Sequence, residues 1–415
     1  MNKPAGHRTR ATNATHAAPT ARRTAAIGRR RLPAWLAIVA LALTVSLAGC
    51  GVRLETPPPA EPVPTAFEQV RRTAVSDALR VVDLANAAAQ YPGISASTQA
   101  QLQEVIDFSM EHVYALGGVY ESGIEPDDDV LVPAPEPPPI EADPAKVVSA
   151  LGDAAGRNRA AADSIASGEL ARLLASIGAS QLTVATSLAS VAAVPPPVTT
   201  IPVVPIVIDQ PGDATASPYP TADGEQAGPP DDGTEPTHHD VEVAVIVPGE
   251  SEAVAPSGLT VSDFNALILG DDAARFALEV RAAKVAGEHR SRLLERSAIH
   301  GTRALAWAHL AGFVGSQQDP RLGVYSVPRE TYNLTLSGDA LAAARAAFDA
   351  GLIRDLQAAL SINFASAVGI AAPTTRAVLI ELLAEADLTR LEWGGAPVAF
   401  PGLPELAEPP AVPAD

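Results

Sequence analysis

Cysteine is almost absent: Cys50 is the only one in 415 residues. A chain with one thiol forms no internal disulfide and no thiolate-bound metal centre, so its stability must come from buried apolar surface. Aromatic residues make up only 4%, too few for the stacking platforms that hold single-stranded nucleic acid. Basic residues are scarce beyond the N-terminus. Of 29 lysines and arginines, eight lie in residues 1–49, which hold no acid. The rest of the chain therefore sets 21 bases against 48 acids, a net charge of −27. Such a surface repels phosphate backbones, and no nucleic acid is expected as a partner. Signatures of catalysis are missing too: no glycine-rich phosphate loop follows a strand, and no serine-centred nucleophile elbow occurs.

What is there begins at the N-terminus. Residues 1–31 contain Lys3 and seven arginines, Leu32 to Gly49 runs without a charge, and Leu47-Ala48-Gly49-Cys50 closes the run. A basic segment, an apolar segment and small residues before the cleavage point form a secretory signal, and the cysteine makes it a lipobox. Residues 1–49 are thus read as a lipoprotein signal peptide. Leu47, Ala48 and Gly49 admit the signal peptidase, and Cys50 carries the lipid, an acyl chain such as palmitate. The expected location is extracytoplasmic, lipid-anchored to the cell membrane, with other envelope proteins as partners. The apolar run is marginal in length for a spanning helix, and its Arg-Arg pairs leave Sec and twin-arginine export both open.

Prolines divide the remainder. Residues 50–64 carry Pro57, Pro58, Pro59, Pro62 and Pro64 and read as a polyproline-like tether. Within residues 65–193, Pro92 is the only proline from 65 to 120 and there is none from 145 to 193, with an acidic, proline-rich loop between. Residues 194–258 are rich in proline, acids and small residues, and residues 259–405 are again helix-compatible, with a tail at 406–415. The reading is all-α: two antiparallel four-helix bundles, at 65–193 and 259–405, joined by a long Pro-rich disordered linker. Thr65 and Glu68 have capping-box spacing, as do Thr98 and Gln101, and Asp143-Pro144 supplies an N-cap with proline at the first helical position. Helix breaks are expected near Gly168 and Gly287, and further starts near Ser337 and Pro373. Leu294, Ala298, Gly301, Leu305, Ala308 and Gly312 alternate steps of four and three, a seam small enough for close helix approach. The pattern EHxxxL occurs at Glu111-His112 and again at Glu288-His289, which raises an internal repeat.

Several elements of the second body carry a likeness: the acidic helix around Asp271-Asp272 and Glu279, Glu288-His289-Arg290, Tyr325-Ser326-Val327-Pro328, Trp393, and Phe400-Pro401-Gly402-Leu403-Pro404-Glu405. Residues 259–405 resemble the ferritin-like domain of unknown function found in actinobacterial lipoproteins. That resemblance implies a ferritin-like bundle and no activity.

Di-iron bundles need a glutamate on each of two helices and a Glu-x-x-His pair on each of the others. Glu279 is available on the first helix, but Glu288 and His289 are adjacent and so about 100° apart. The third helix offers Asp339, Asp349 and Asp355 without a glutamate, and the fourth offers Glu381 and Glu385 without a histidine. His112 and His289 border apolar stripes and read as structural, while His300 and His309 read as surface cover. Glu235, His238, His239 and Asp240 lie in the linker without a packed shell, and Asp127-Asp128-Asp129 lacks the features of a calcium loop. No catalytic residue, metal ligand or cofactor is assigned. The expected function is a non-catalytic binding or scaffolding module of the cell envelope, with a di-iron oxidoreductase or metal-storage protein as the alternative and support of export or envelope assembly as a third reading.

Cys50→Ala is expected to leave the precursor uncleaved by the lipoprotein peptidase and unlabelled by fatty acid. Efficient acyl labelling of that variant would remove the lipobox reading.

Overall fold

The computed structural model describes residues 61–122, 140–198, 257–333 and 335–407. The signal segment with Leu47, Ala48, Gly49 and Cys50, most of the tether, the acidic loop and the proline-rich linker lie outside them. The regular elements among the described residues are all helices, with no strand.

Local chemistry sets the helix starts. α1 (Ala66–Ala88) begins where the Thr65 hydroxyl accepts from the Glu68 N–H; Glu68 turns instead to Arg71 and Arg72. α2 (Ala96–Ala115) is capped by Ser95, which accepts from the Thr98 N–H. Thr98 is therefore inside the helix, not its cap: its own N–H is the donor that Ser95 caps. α3 (Pro144–Ser164) starts on Asp143 and Pro144, and α4 (Gly168–Ala192) on Ser167. α5 (Val261–Ala282) opens with a reciprocal capping box between Thr260 and Asp263. α6 (Gly287–Leu310), α7 (Gly338–Val368), α8 (Pro373–Glu392) and the short α9 (Pro404–Ala407) complete the order.

Consecutive helices pair as hairpins: α1 with α2, α3 with α4, α5 with α6, α7 with α8. α1 packs on α3, α2 on α4 and α5 on α7, while α8 contacts α3 and α4 and joins the early helices to the late ones. Among the described residues α4 is the one helix long and apolar enough to cross a membrane, yet 78% of that stretch is buried within the protein. The cores explain why. Leu170, Leu174 and Ile177 of α4 share one cluster with Phe364, Leu379, Leu383 and Phe400, whereas Val184 and Leu188 lie in a second with Val81, Leu102 and Leu151. A smaller third core gathers Leu278, Leu293, Ile353 and Trp393. One core is thus common to both halves at the end where α4 and α8 begin, and separate cores occupy the other end.

Residues 399–402 seal that common core. Ala399 and Pro401 offer their carbonyls to His112 Nε2 of α2 (2.8 Å) and Ser176 Oγ of α4 (2.8 Å). Phe400 stacks edge-on against His112. Gly402 sits at φ +75°, and a Cβ there would lie 2.4 Å from the Ser361 carbonyl oxygen, so no other residue fits without displacing α7. Gly168 meets Gly369 as closely, where α4 starts and α7 ends.

The small-residue seam of α6 is displaced. Its buried face is Leu293, Ser297, His300, Ala304, Trp307 and Ala308, while Leu294 and Ala298 are exposed. Alanine fits either face, so the step pattern alone did not fix the rotation. Of the expected seam, Ala308 is fully buried and Gly301 is closely approached, since a Cβ there would come within 2.8 Å of Arg275 Cδ.

A proteolytic cut between residues 199 and 256 is expected to leave the two fragments associated, co-eluting by size-exclusion chromatography without denaturant. Separate elution would show that the common core is too weak to hold the halves together.

Candidate functional site

The least usual feature is the number of charged and polar side chains buried or half-buried in the second half. α5 supplies Asp271, Asp272, Arg275 and Arg281, α6 His289, Arg296, His300 and Arg303, α7 Asp349 and Gln357, and α8 Glu385 and Asp387. Helical repetition places them together. On α6, positions 289, 293, 296, 300, 303 and 307 recur at three and four residues and trace one face.

Three groups run along this interior. In the first, Asp349 is fully buried and receives both Arg281 Nε and His289 Nε2, the latter at 2.9 Å. Arg281 also reaches Glu330, which Lys284 contacts at 3.0 Å, and the Arg281 guanidinium lies over the Phe348 ring. In the second, His300 Nδ1 meets Asp271 Oδ1 at 2.8 Å and His300 Nε2 lies 3.1 Å from Gln357 Nε2, all three residues being buried. Beside them Glu385 takes Arg296 and Arg303, both at 2.6 Å. Burial alone would raise the Glu385 carboxyl, but the charges of Arg303 and Arg296 outweigh it and hold it below the usual carboxylate range. In the third, Asp272 pairs with Arg275 (2.9 Å) and accepts from the Tyr325 hydroxyl (2.6 Å) and the Leu322 N–H. Burial, with Asp272 as acceptor, pushes the Tyr325 phenol up. This pins the loop between α6 and α7.

Further charges tie the halves together. Arg159 of α3 pairs with Glu381 of α8, and Arg376 donates to the Ile165 carbonyl at 2.8 Å. Asp387 pairs with Arg390 at 3.0 Å, yet burial still raises its carboxyl above the ordinary value, against Arg390 and Thr183.

Desolvating an ion costs several kcal/mol, and a buried pair recovers this only when its hydrogen bonds are well made. Each acid named here has a cation, a histidine or both. A ferritin-type metal centre needs carboxylates left open toward a common point, whereas arginines stand against Asp349 and Glu385. No group of three or more His, Cys, Asp or Glu among the described residues is arranged to hold a metal ion. These residues do not fit a di-iron centre.

The sequence candidates fall differently. Glu279 is half exposed against Arg275, and Glu288 is exposed in the first turn of α6. His300 is fully buried rather than surface cover, because its partner Asp271 lies across on α5. His309 is exposed as expected. His112 is a core residue: burial lowers it to about 4 despite the Ala399 carbonyl, so at neutral pH an uncharged ring donates through Nε2. Glu111-His112 lies in the last turn of α2 and Glu288-His289 in the first turn of α6, so the shared EHxxxL pattern marks opposite helix ends. Arg281, Asp271 and Arg303 were missed. Their signal was a charged residue in step with an apolar stripe, as in Leu267, Asp271, Ala274, Leu278 and Arg281. Cys50 and its flanking residues, Asp127-Asp128-Asp129 and the Glu235–Asp240 cluster fall outside the described residues.

Fold and site together define a helical bundle with an ion-paired interior. Compared with family models, with curated proteins and with solved structures, the chain matches none of them.

Glu385→Gln is expected to destabilise the protein by about 3 kcal/mol, because Arg303 and Arg296 lose their counter-charge. Glu288→Gln should stay within about 0.5 kcal/mol, as its side chain is exposed. Denaturant unfolding of the two variants checks the order; the reverse order would place Glu288 in a network and Glu385 outside one.

Proposed function

We propose that the chain is a cell-envelope lipoprotein anchored through Cys50, built as two antiparallel four-helix bundles of which the C-terminal one is ferritin-like. Its role on this reading is that of a non-catalytic binding or scaffolding module. The observation that carries it is the pairing of the interior acids of α5, α7 and α8 with Arg275, Arg281, His289, Arg296, His300 and Arg303. These pairs fix the register of α5, α6, α7 and α8, and arginines stand against Asp349 and Glu385 where a metal-binding site would need open carboxylates. The basic, apolar and small-residue order before Cys50 supports the anchor.

Metal analysis of soluble protein lacking residues 1–50 tests the reading. Substoichiometric iron and manganese are expected after purification from metal-supplemented medium. Two tightly held metals per chain, lost on Asp271→Asn or Glu385→Gln, would move the protein to the metal-dependent class.

A further inference from the structure

We propose that the end of the helical array at which α1 begins rests on the phospholipid surface to which the chain is tethered. This deepens the anchored reading and depends on it. The end is defined by contacts. Arg71 of α1 donates to the Leu116 and Gly118 carbonyls (2.9 and 2.7 Å), which brings the start of α1 to the end of α2. Arg376 near the start of α8 reaches Ile165 between α3 and α4, Gly168 abuts Gly369, and Ala372 donates to Ser257 just before α5. The starts of α1, α4, α5 and α8 and the ends of α2, α3 and α7 therefore meet here.

Both halves expose large apolar side chains at this end: Val63, Phe67, Tyr114 (77% exposed) and Val119 (63%) from the first, and Val261 and Ile370 from the second. Phe67 is the telling one. It continues the stripe of Ala74, Ala78, Val81 and Ala85, but lies beyond the core that would cover it. Aromatic and aliphatic residues so placed suit the interface between headgroups and acyl chains. The occupant follows from where the chain leaves: Cys50 lies eleven residues before Glu61. Fully extended, that stretch reaches at most about 36–40 Å, so the chain enters the helical array at this end, within that distance of the lipid. Residues 123–139 are a poorer cover. They carry five acids, and Ile140, which follows them, borders Tyr91 at the opposite end of α1.

The single thiol makes the test independent of cellular processing. Protein beginning at Cys50 is coupled through that cysteine to maleimide lipid in phosphatidylcholine–phosphatidylglycerol vesicles with brominated acyl chains. Tyr114→Trp and Tyr91→Trp report the two ends, against the small background of buried Trp307 and Trp393. Loss of emission for Tyr114→Trp and none for Tyr91→Trp is expected, with the loss relieved by adding Phe67→Ser and Ile370→Ser. Equal quenching at both ends, none at either, or a Tyr114→Trp emission already shielded before coupling would overturn the proposal. Failure of the anchor itself shows separately, as absent acyl labelling of Cys50 in cells.

Discussion

Everything in this protein depends on covering α4. A helix this apolar, with Leu170, Leu174, Ile177, Leu182 and Leu188 all buried, cannot face water on any side without a large hydrophobic cost. Its partners divide the task along its length. The C-terminal portion is closed by α1, α2 and α3, and the N-terminal portion needs α7, α8 and the segment Ala399–Leu403 as well. That requirement is why α8 is buried on more than one stripe, Ile380 and Leu383 as well as Leu379 and Leu382, and why two proline-separated helical regions form one body.

The second half solves a different problem. Between α6 and α8 there is little close backbone approach, and the space is bridged by Arg296, Arg303 and Glu385. Long ion pairs span a gap that a small-residue interface would have closed. They also specify register, since sliding α6 by one turn would separate Asp349 from His289 and Asp271 from His300 together. An apolar filling could match the stability but would tolerate such a slip more readily.

The helices were largely legible in the sequence. Asp143-Pro144, Gly287, Ser337 and Pro373 each mark an observed boundary, because caps and prolines act locally. The interior was not legible. His300 looked like surface because periodicity says which residues share a face, not which residue lies across from it; Asp271 is 29 positions away. Arg281 and Asp349, 68 positions apart, pose the same difficulty. The seam on α6 failed for the opposite reason, since alanine and glycine carry too little contrast to set a helix rotation.

The closing segment has a consequence in time. The Ala399 carbonyl that satisfies His112 is made 287 residues after it, and the Pro401 carbonyl that satisfies Ser176 comes 225 residues after its partner. Contacts so remote in sequence form late. While the chain emerges N-terminus first, α2 and α4 must wait with an unpaired imidazole and hydroxyl and an open apolar face. A chain that stops short of Phe400 would keep that face open, which is the state most prone to aggregation and degradation. Synthesis through Pro401 is thus a condition for closing the core on α2 and α4.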